Sequence, residues 1–302
     1  MYSSSRDEGA WLRYGLSLSG LSPRHYASLA QEAERLGFES VWVPDHLVLP
    51  RELPATYLYT ADGRAPISAD TAVYDPWVLL GGMATVTERI RLATGVYVLP
   101  LRHPLITARG VLTVDRLSRG RVTLGAGVGW LKEEFDIVGL DAGTRGRRAD
   151  EIIPLLRRLW TEEIIEHHGT HYDIPPVHFE PKPFQRPIPI EIGGTSPAAL
   201  RRAGALGDGW IEIGSTDDAQ LRERLAVVLE ARRAAGREAE PFLVTAGIDL
   251  DDAADIADRR QEIGVHRLVL RLPPTLDRAQ LGTELQRFAA DRIGAQSLRP
   301  PA

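Results

Sequence analysis

The stretch RVTLGAGVGWLKEEF, residues 121–135, decides between two folds. Read as a dinucleotide fingerprint, its glycines would open a helix in a doubly wound sheet. That fingerprint needs Gly or Ala at its sixth position, leading directly into a helix. Counting from Gly125, the sixth position is Trp130. No Gly-Lys-Ser/Thr follows, so a phosphate-binding P-loop is excluded as well. What remains is a β run over 121–128, with Gly125, Gly127 and Gly129 alternating onto one face. Such glycines leave space inside a closed sheet. Either a planar ring or the packing of a neighbouring element could use it.

Working outward, strand-length hydrophobic runs alternate with helix-period segments. Strands are expected at 13–19, 40–46, 90–99, 121–128, 188–194, 209–214, 242–248 and 267–272. Each is followed by a helical stretch. The segment 147–160 reads as a helix in which Pro154 must sit early or cause a kink. Two excursions interrupt the alternation: a long, Pro-rich loop after strand two, and a β-hairpin within 162–187 before strand five. Eight strand–helix units argue for an α/β fold, one closed (β/α)8 TIM barrel over residues 1–302, rather than an open sheet.

Composition narrows the chemistry. The 36 basic and 41 acidic residues leave a net charge of −5 with no basic stripe, which argues against nucleic-acid binding. Lysine occurs only at Lys132 and Lys182, neither at the end of an expected strand, so Schiff-base chemistry is excluded. There is no cysteine, hence no disulfide and no thiolate catalysis. The N-terminus lacks a signal-peptide core and no run approaches a membrane span. A soluble, cytoplasmic protein acting on a small molecule, without a membrane partner, is expected.

Active sites of such barrels lie where the strands end. Strand two ends in Asp45-His46, and a His there can donate or accept a proton near neutral pH. Strand three contains Gly95, marking a bulge or a close backbone approach, with Arg102 and His103 just beyond. Strand five ends in Gly193-Gly194-Thr195-Ser196 before Pro197, a Gly-rich turn with a helix cap and an anion-accepting helix start. No metal site is expected. His-x-His is missing, and the spacing of His167, His168, His171 and His178 on the hairpin fits no zinc pattern.

With these pieces assembled, the chain resembles the luciferase-like monooxygenase superfamily, and within it the branch of oxidoreductases using the deazaflavin coenzyme F420. The resemblance runs through SVWVPDHLVLP, ERIRLATGVYVLPLRHPL, DRLSRGRVTLGAGVGWLKEEFDIVGL, RGRRADEIIPLLRRLW and PIEIGGTSPAALRRAGALGDGWI. It implies a (β/α)8 barrel and a hydride transfer between F420 and a small organic substrate. It implies that Asp45 and His46 face the cofactor, with His46 as the catalytic proton donor. It implies a bulge at Thr94, Gly95 and Val96, often with a non-prolyl cis peptide, backing the ring beside Gly127 and Gly129. Gly193, Gly194, Thr195 and Ser196 would help hold the cofactor phosphate.

The sugar-phosphate dehydrogenase branch carries a tryptophan soon after the Asp-His pair and a glutamate after the strand-four glycines. Here those places hold Pro50 and Trp130. That argues for an uncharged, aromatic or apolar substrate packed on Trp130. Two other activities stay open: an FMN-dependent monooxygenase using O2, and a flavin-binding barrel without catalysis. Family members are commonly dimers, so a homodimer is among the states the resemblance allows.

Overall fold

A computed structural model describes residues 12–60, 62–213 and 217–294. The barrel strands are β1 (Arg13–Ser17), β2 (Ser40–Val43), β3 (Arg91–Thr94), β5 (Val122–Gly127), β8 (Ile190–Gly193), β9 (Gly209–Ile211), β10 (Leu243–Asp249) and β11 (Arg267–Arg271). Each pairs in parallel with its neighbours. The ring is continuous from β3 through β2, β1, β11, β10, β9 and β8 to β5, and the β3–β5 pairing of Leu92 with Val122 closes it. The expected closed barrel is therefore the observed one.

The third strand breaks after Thr94 and resumes as β4 (Tyr97–Val98), with a cis Gly95–Val96 peptide at the break, where Gly95 had marked a bulge. The helix Arg145–Thr161 starts two residues earlier than the expected 147, and Pro154 lies in its interior rather than early in it. The hairpin excursion forms as β6 (Ile164–His168) and β7 (Asp173–His178), antiparallel to each other, and buries Ile165 and Ile174.

The lower barrel is filled by side chains of opposite charge. Arg267 on β11 is fully buried and donates to Glu191 on β8 at 2.7 Å and to Glu39 at 2.9 Å. Its guanidinium lies 5.3 Å from the Trp42 ring. Burial would lower the Arg267 pKa, but the two carboxylates hold it above the ordinary value. A buried charge without partners would cost several kcal/mol, so this cluster is kept only because every member is paired. The upper barrel, where the strands end, is left to a cavity.

Candidate active site

A cavity of about 430 Å³ opens at the C-terminal ends of the strands. It collects residues from five places distant in sequence: Asp45 and His46 after β2, Gly95 and Val96 at the break, and Gly127, Gly129 and Trp130 at the end of β5. Gly193, Gly194 and Ser196 follow β8, and residues 56–59 and 65–67 reach over from the long loop. Ten of the twelve residues singled out from sequence thus line one space. The other two sit beside it. Thr94 is fully buried and its hydroxyl donates to the Gly125 carbonyl at 2.8 Å, tying β3 to β5. Thr195 shares hydrogen bonds with the Tyr59 hydroxyl through both backbone and side chain.

The floor decides between the two uses open to the glycines. A Cβ on Gly127 would lie 2.6 Å from Val96 Cγ2, and one on Gly193 would lie 2.7 Å from Val96 Cγ1. A Cβ on Gly125 would lie 1.9 Å from the Thr94 carbonyl oxygen, and one on Gly129 would lie 2.8 Å from Val98 Cγ1. The space these glycines leave is taken by the neighbouring strand, so it does not stand open for a ring. Val96 is seated between two strands and forms part of a dry floor.

Asp45 anchors that arrangement. Its Oδ2 accepts the Val98 amide at 2.8 Å, and both oxygens meet the Arg102 guanidinium, at 2.6 and 2.8 Å. Burial opposes ionisation of both partners and raises the Asp45 pKa, while the hydrogen bonds to Arg102 and Val98 oppose that rise. The same bonds hold Arg102 above its ordinary value against its own burial. A bidentate fork in a buried site is the geometry of an ion pair. Arg102 also lies 4.5 Å over the Tyr97 ring. Its neighbour His103 caps the helix Pro104–Leu117 by accepting the Leu105 amide at 3.2 Å. Both bond the protein rather than the cavity.

His46 is held by Glu134. Nδ1 and Oε2 are 3.0 Å apart, and Glu134 Oε1 accepts the amides of Leu47 at 2.5 Å and Val48 at 3.3 Å. The Glu134 side chain is completely buried. An ionised carboxylate only accepts, so Nδ1 carries the hydrogen and Nε2 is left to a ligand. Nε2 has no partner among the described residues. The sequence reading passed over Glu134, although a signal existed. Leu131, Glu134 and Phe135 fall at i, i+3 and i+4, so the helix Lys132–Ile137 turns Glu134 inward with its apolar neighbours.

The turn after β8 is fixed from below by the buried Trp210, whose indole donates to the Gly194 carbonyl at 2.9 Å. Gly194 has φ +125°, a backbone conformation that disfavours side chains. Ser196 accepts the Ala199 amide at 3.2 Å and caps the helix Pro197–Leu206. Arg145, the first residue of its helix, also lines the cavity; among the described residues it makes no ion pair and donates only to the Ala142 carbonyl, at 2.7 Å. Its place was not legible from the run 145–148, which reads as a charged helix face.

The long loop supplies aromatic walls that sequence reading did not assign. Tyr57 stands edge-on to Trp130 at 5.0 Å, Trp130 to His46 at 6.1 Å, and Tyr59 to Tyr57 at 5.1 Å. Burial raises the pKa of both tyrosines. The hairpin histidines lie elsewhere: His167 pairs with Glu151, and His168 lies between Glu166 and Asp173. No group of three or more His, Asp or Glu among the described residues could hold a metal ion. Nor is any described helix long and apolar enough to cross a membrane.

Comparison with known proteins adds the following. A family model described as luciferase-like monooxygenase matches residues 4–300. An uncharacterized protein of Mycobacterium tuberculosis (strain ATCC 25618 / H37Rv) is 36% identical over 254 residues, covering 83% of this chain and 86% of that one. An F420-dependent glucose-6-phosphate dehydrogenase of Kineococcus radiotolerans is 31% identical over 230 residues, 75% of this chain and 63% of that one. Among solved structures, an F420-dependent secondary alcohol dehydrogenase in complex with an F420-acetone adduct has a TM-score of 0.76 at 19% identity. That match covers 96% of this chain and 99% of the other, and at such identity it speaks to the fold.

Proposed function

From the premise that this chain belongs to the luciferase-like monooxygenase family, we propose that it is an oxidoreductase using coenzyme F420 on a small organic substrate. One observation carries the reading. A single cavity is lined by Arg145, which makes no ion pair among the described residues, by Gly193, Gly194 and Ser196 of the turn, and by a histidine whose Nε2 has no partner among them. Arg145 and the turn suit a phosphate, the histidine a substrate oxygen. The donor set fits the cofactor: Arg145, Ser196 and the backbone of the turn would hold its phosphate, and Val96 between Gly127 and Gly193 would support its ring. When bound, the deazaflavin supplies two-electron hydride chemistry. The protein's own part is to orient and to exclude water. His46, aligned by Glu134, would take up a substrate proton at Nε2 and return it, and the ion pair of Asp45 with Arg102 keeps the β3 break in place.

A relative named as F420-dependent supports this choice of cofactor. The family model is named for monooxygenases, which makes FMN the competing cofactor for the same cavity. Fluorescence titration with F420 and with FMN separates them, and Arg145→Gln is expected to weaken the bound one by about tenfold through its phosphate. Micromolar affinity for FMN with none for F420 would overturn the cofactor assignment. Unchanged affinity in Arg145→Gln would overturn the role given to Arg145.

A further inference from the structure

The cavity is sparingly charged. Apart from tyrosines, only Asp45, His46 and Arg145 among its described lining residues carry ionisable groups. The Asp45 carboxylate is fully buried and held by both arms of Arg102, so it has no charge to offer a ligand. Outside the lining, Arg271, whose charge reaches Tyr57, is committed to Asp249 by bonds of 2.9 and 2.6 Å. Arg224, whose charge reaches Tyr59, is committed to Glu212 at 2.9 Å. Once Arg145 holds a cofactor phosphate, the lining keeps no fixed cation for a second anion and no free carboxylate for an ammonium, and His46, with its hydrogen on Nδ1, offers Nε2 as an acceptor. An unpaired charge taken out of water there would go uncompensated.

What the lining offers instead is ring surface. Tyr57, Trp130 and His46 stand edge to face in a row, with Pro66 and Ile67 of the same loop as Tyr57 also lining the space. The amides nearest His46, those of Leu47 and Val48, are already taken by Glu134. A polyhydroxylated sugar placed against these rings would exchange bonds to water for ring contacts, which is unfavourable.

We infer that the substrate is an uncharged, largely apolar, flat molecule with one hydroxyl, received against Trp130 and Tyr57 with that hydroxyl donating to His46 Nε2. This rests on the reading of Arg145 as the anchor of the cofactor phosphate. It sets this site apart from that of the relative named for glucose 6-phosphate.

The test uses a matched pair of ligands, 4-methylphenol and 4-hydroxybenzoate, alike in size and differing in charge. Each is titrated calorimetrically into the chain saturated with whichever of F420 and FMN binds. The neutral phenol is expected to bind about tenfold more tightly than the benzoate or glucose 6-phosphate. Trp130→Ala and Tyr57→Ala should each weaken it about fivefold, while Tyr57→Phe, which keeps the ring, should leave it within about twofold. Circular dichroism confirms that the variants are folded, and Trp130→Leu or Tyr57→Leu, which removes the ring but fills part of its space, replaces either that is not. The inference is overturned if either anion binds the loaded chain as well as the phenol, if the phenol does not bind up to its solubility limit, or if removing the rings changes nothing. Should neither cofactor bind, the reading of Arg145 fails separately. The same pair titrated into unloaded Arg145→Gln then decides the substrate class alone, by the same preference.

Discussion

Gly127→Ala tests what the alternating glycines are for. A Cβ there would lie 2.6 Å from Val96 Cγ2, roughly 1 Å inside the separation at which carbon atoms attract. Without that contact, alanine would stabilise by about 0.4–1 kcal/mol through the unfolded chain, so any net loss measures the clash. Overpacking of this kind costs about 1–3 kcal/mol, and we expect about 2. Val96→Ala removes the two methyls that meet Gly127 and Gly193, for about 1.5 kcal/mol. If the clash is the cause, the double variant should cost about 0.4–1 kcal/mol less than Val96→Ala alone, leaving a coupling of about 2.4–3 kcal/mol. Urea unfolding of the four proteins gives the cycle directly. Losses that add within about 0.5 kcal/mol would refute the seating of Val96 against Gly127.

Glu134→Ala strands the amides of Leu47 and Val48 and frees the His46 ring; we expect a loss of about 3 kcal/mol in urea unfolding, and a loss below about 1 would contradict the buried acceptor role. Tyr59→Phe removes the hydroxyl bonds to Thr195, which should leave global stability nearly unchanged but speed limited proteolysis within 47–75 about fivefold, for a net bond near 1 kcal/mol. Glu39 is half-buried, and desolvation would raise its pKa, yet Arg267 lowers it below the ordinary 4.5. Its contribution is thus complete above 4.5 and is lost as pH falls through the lower folded value. The stability gap between the wild-type chain and Glu39→Gln should close between pH 5 and about pH 3, and a gap that widens there would reverse the assignment.

How much of this was legible in the chain can be traced residue by residue. The barrel was legible because period-two runs and helical periods alternate with little interruption, and Gly95 marked its own strand break. His46, Asp45 and the turn at 193–196 were legible because a closed barrel makes strand ends converge, whatever the sequence distance between them. Arg145, Tyr57 and Tyr59 were not. They reach the cavity from a helix start and from a loop of no fixed period, and only tertiary packing decides which loop side chains turn inward. The glycines of β5 were seen, but the sequence left open whether a ring or a neighbouring element fills the space beside them. A missing side chain reports that something approaches closely, and its identity lies on the neighbouring strand.

That neighbour shapes the site. Thr94, Val96 and Val98 advance by two residues along one strand while Gly125, Gly127 and Gly129 advance by two along the next, each meeting its counterpart. The floor is therefore strand packed on strand, secured by Asp45 through the Val98 amide, and has little freedom to adapt. The walls are of a different kind. Tyr57 and Tyr59 belong to a loop that rests on Trp130 by a ring edge and on Thr195 by hydrogen bonds, each worth about 1 kcal/mol. Precision in a site comes from its rigid elements and variety from its loops. Exchanging residues 56–59 or 65–67 should then change which substrate is held while leaving cofactor affinity in place. Substitutions at Val96 or Gly127 should do the reverse, disturbing the floor under every ligand alike.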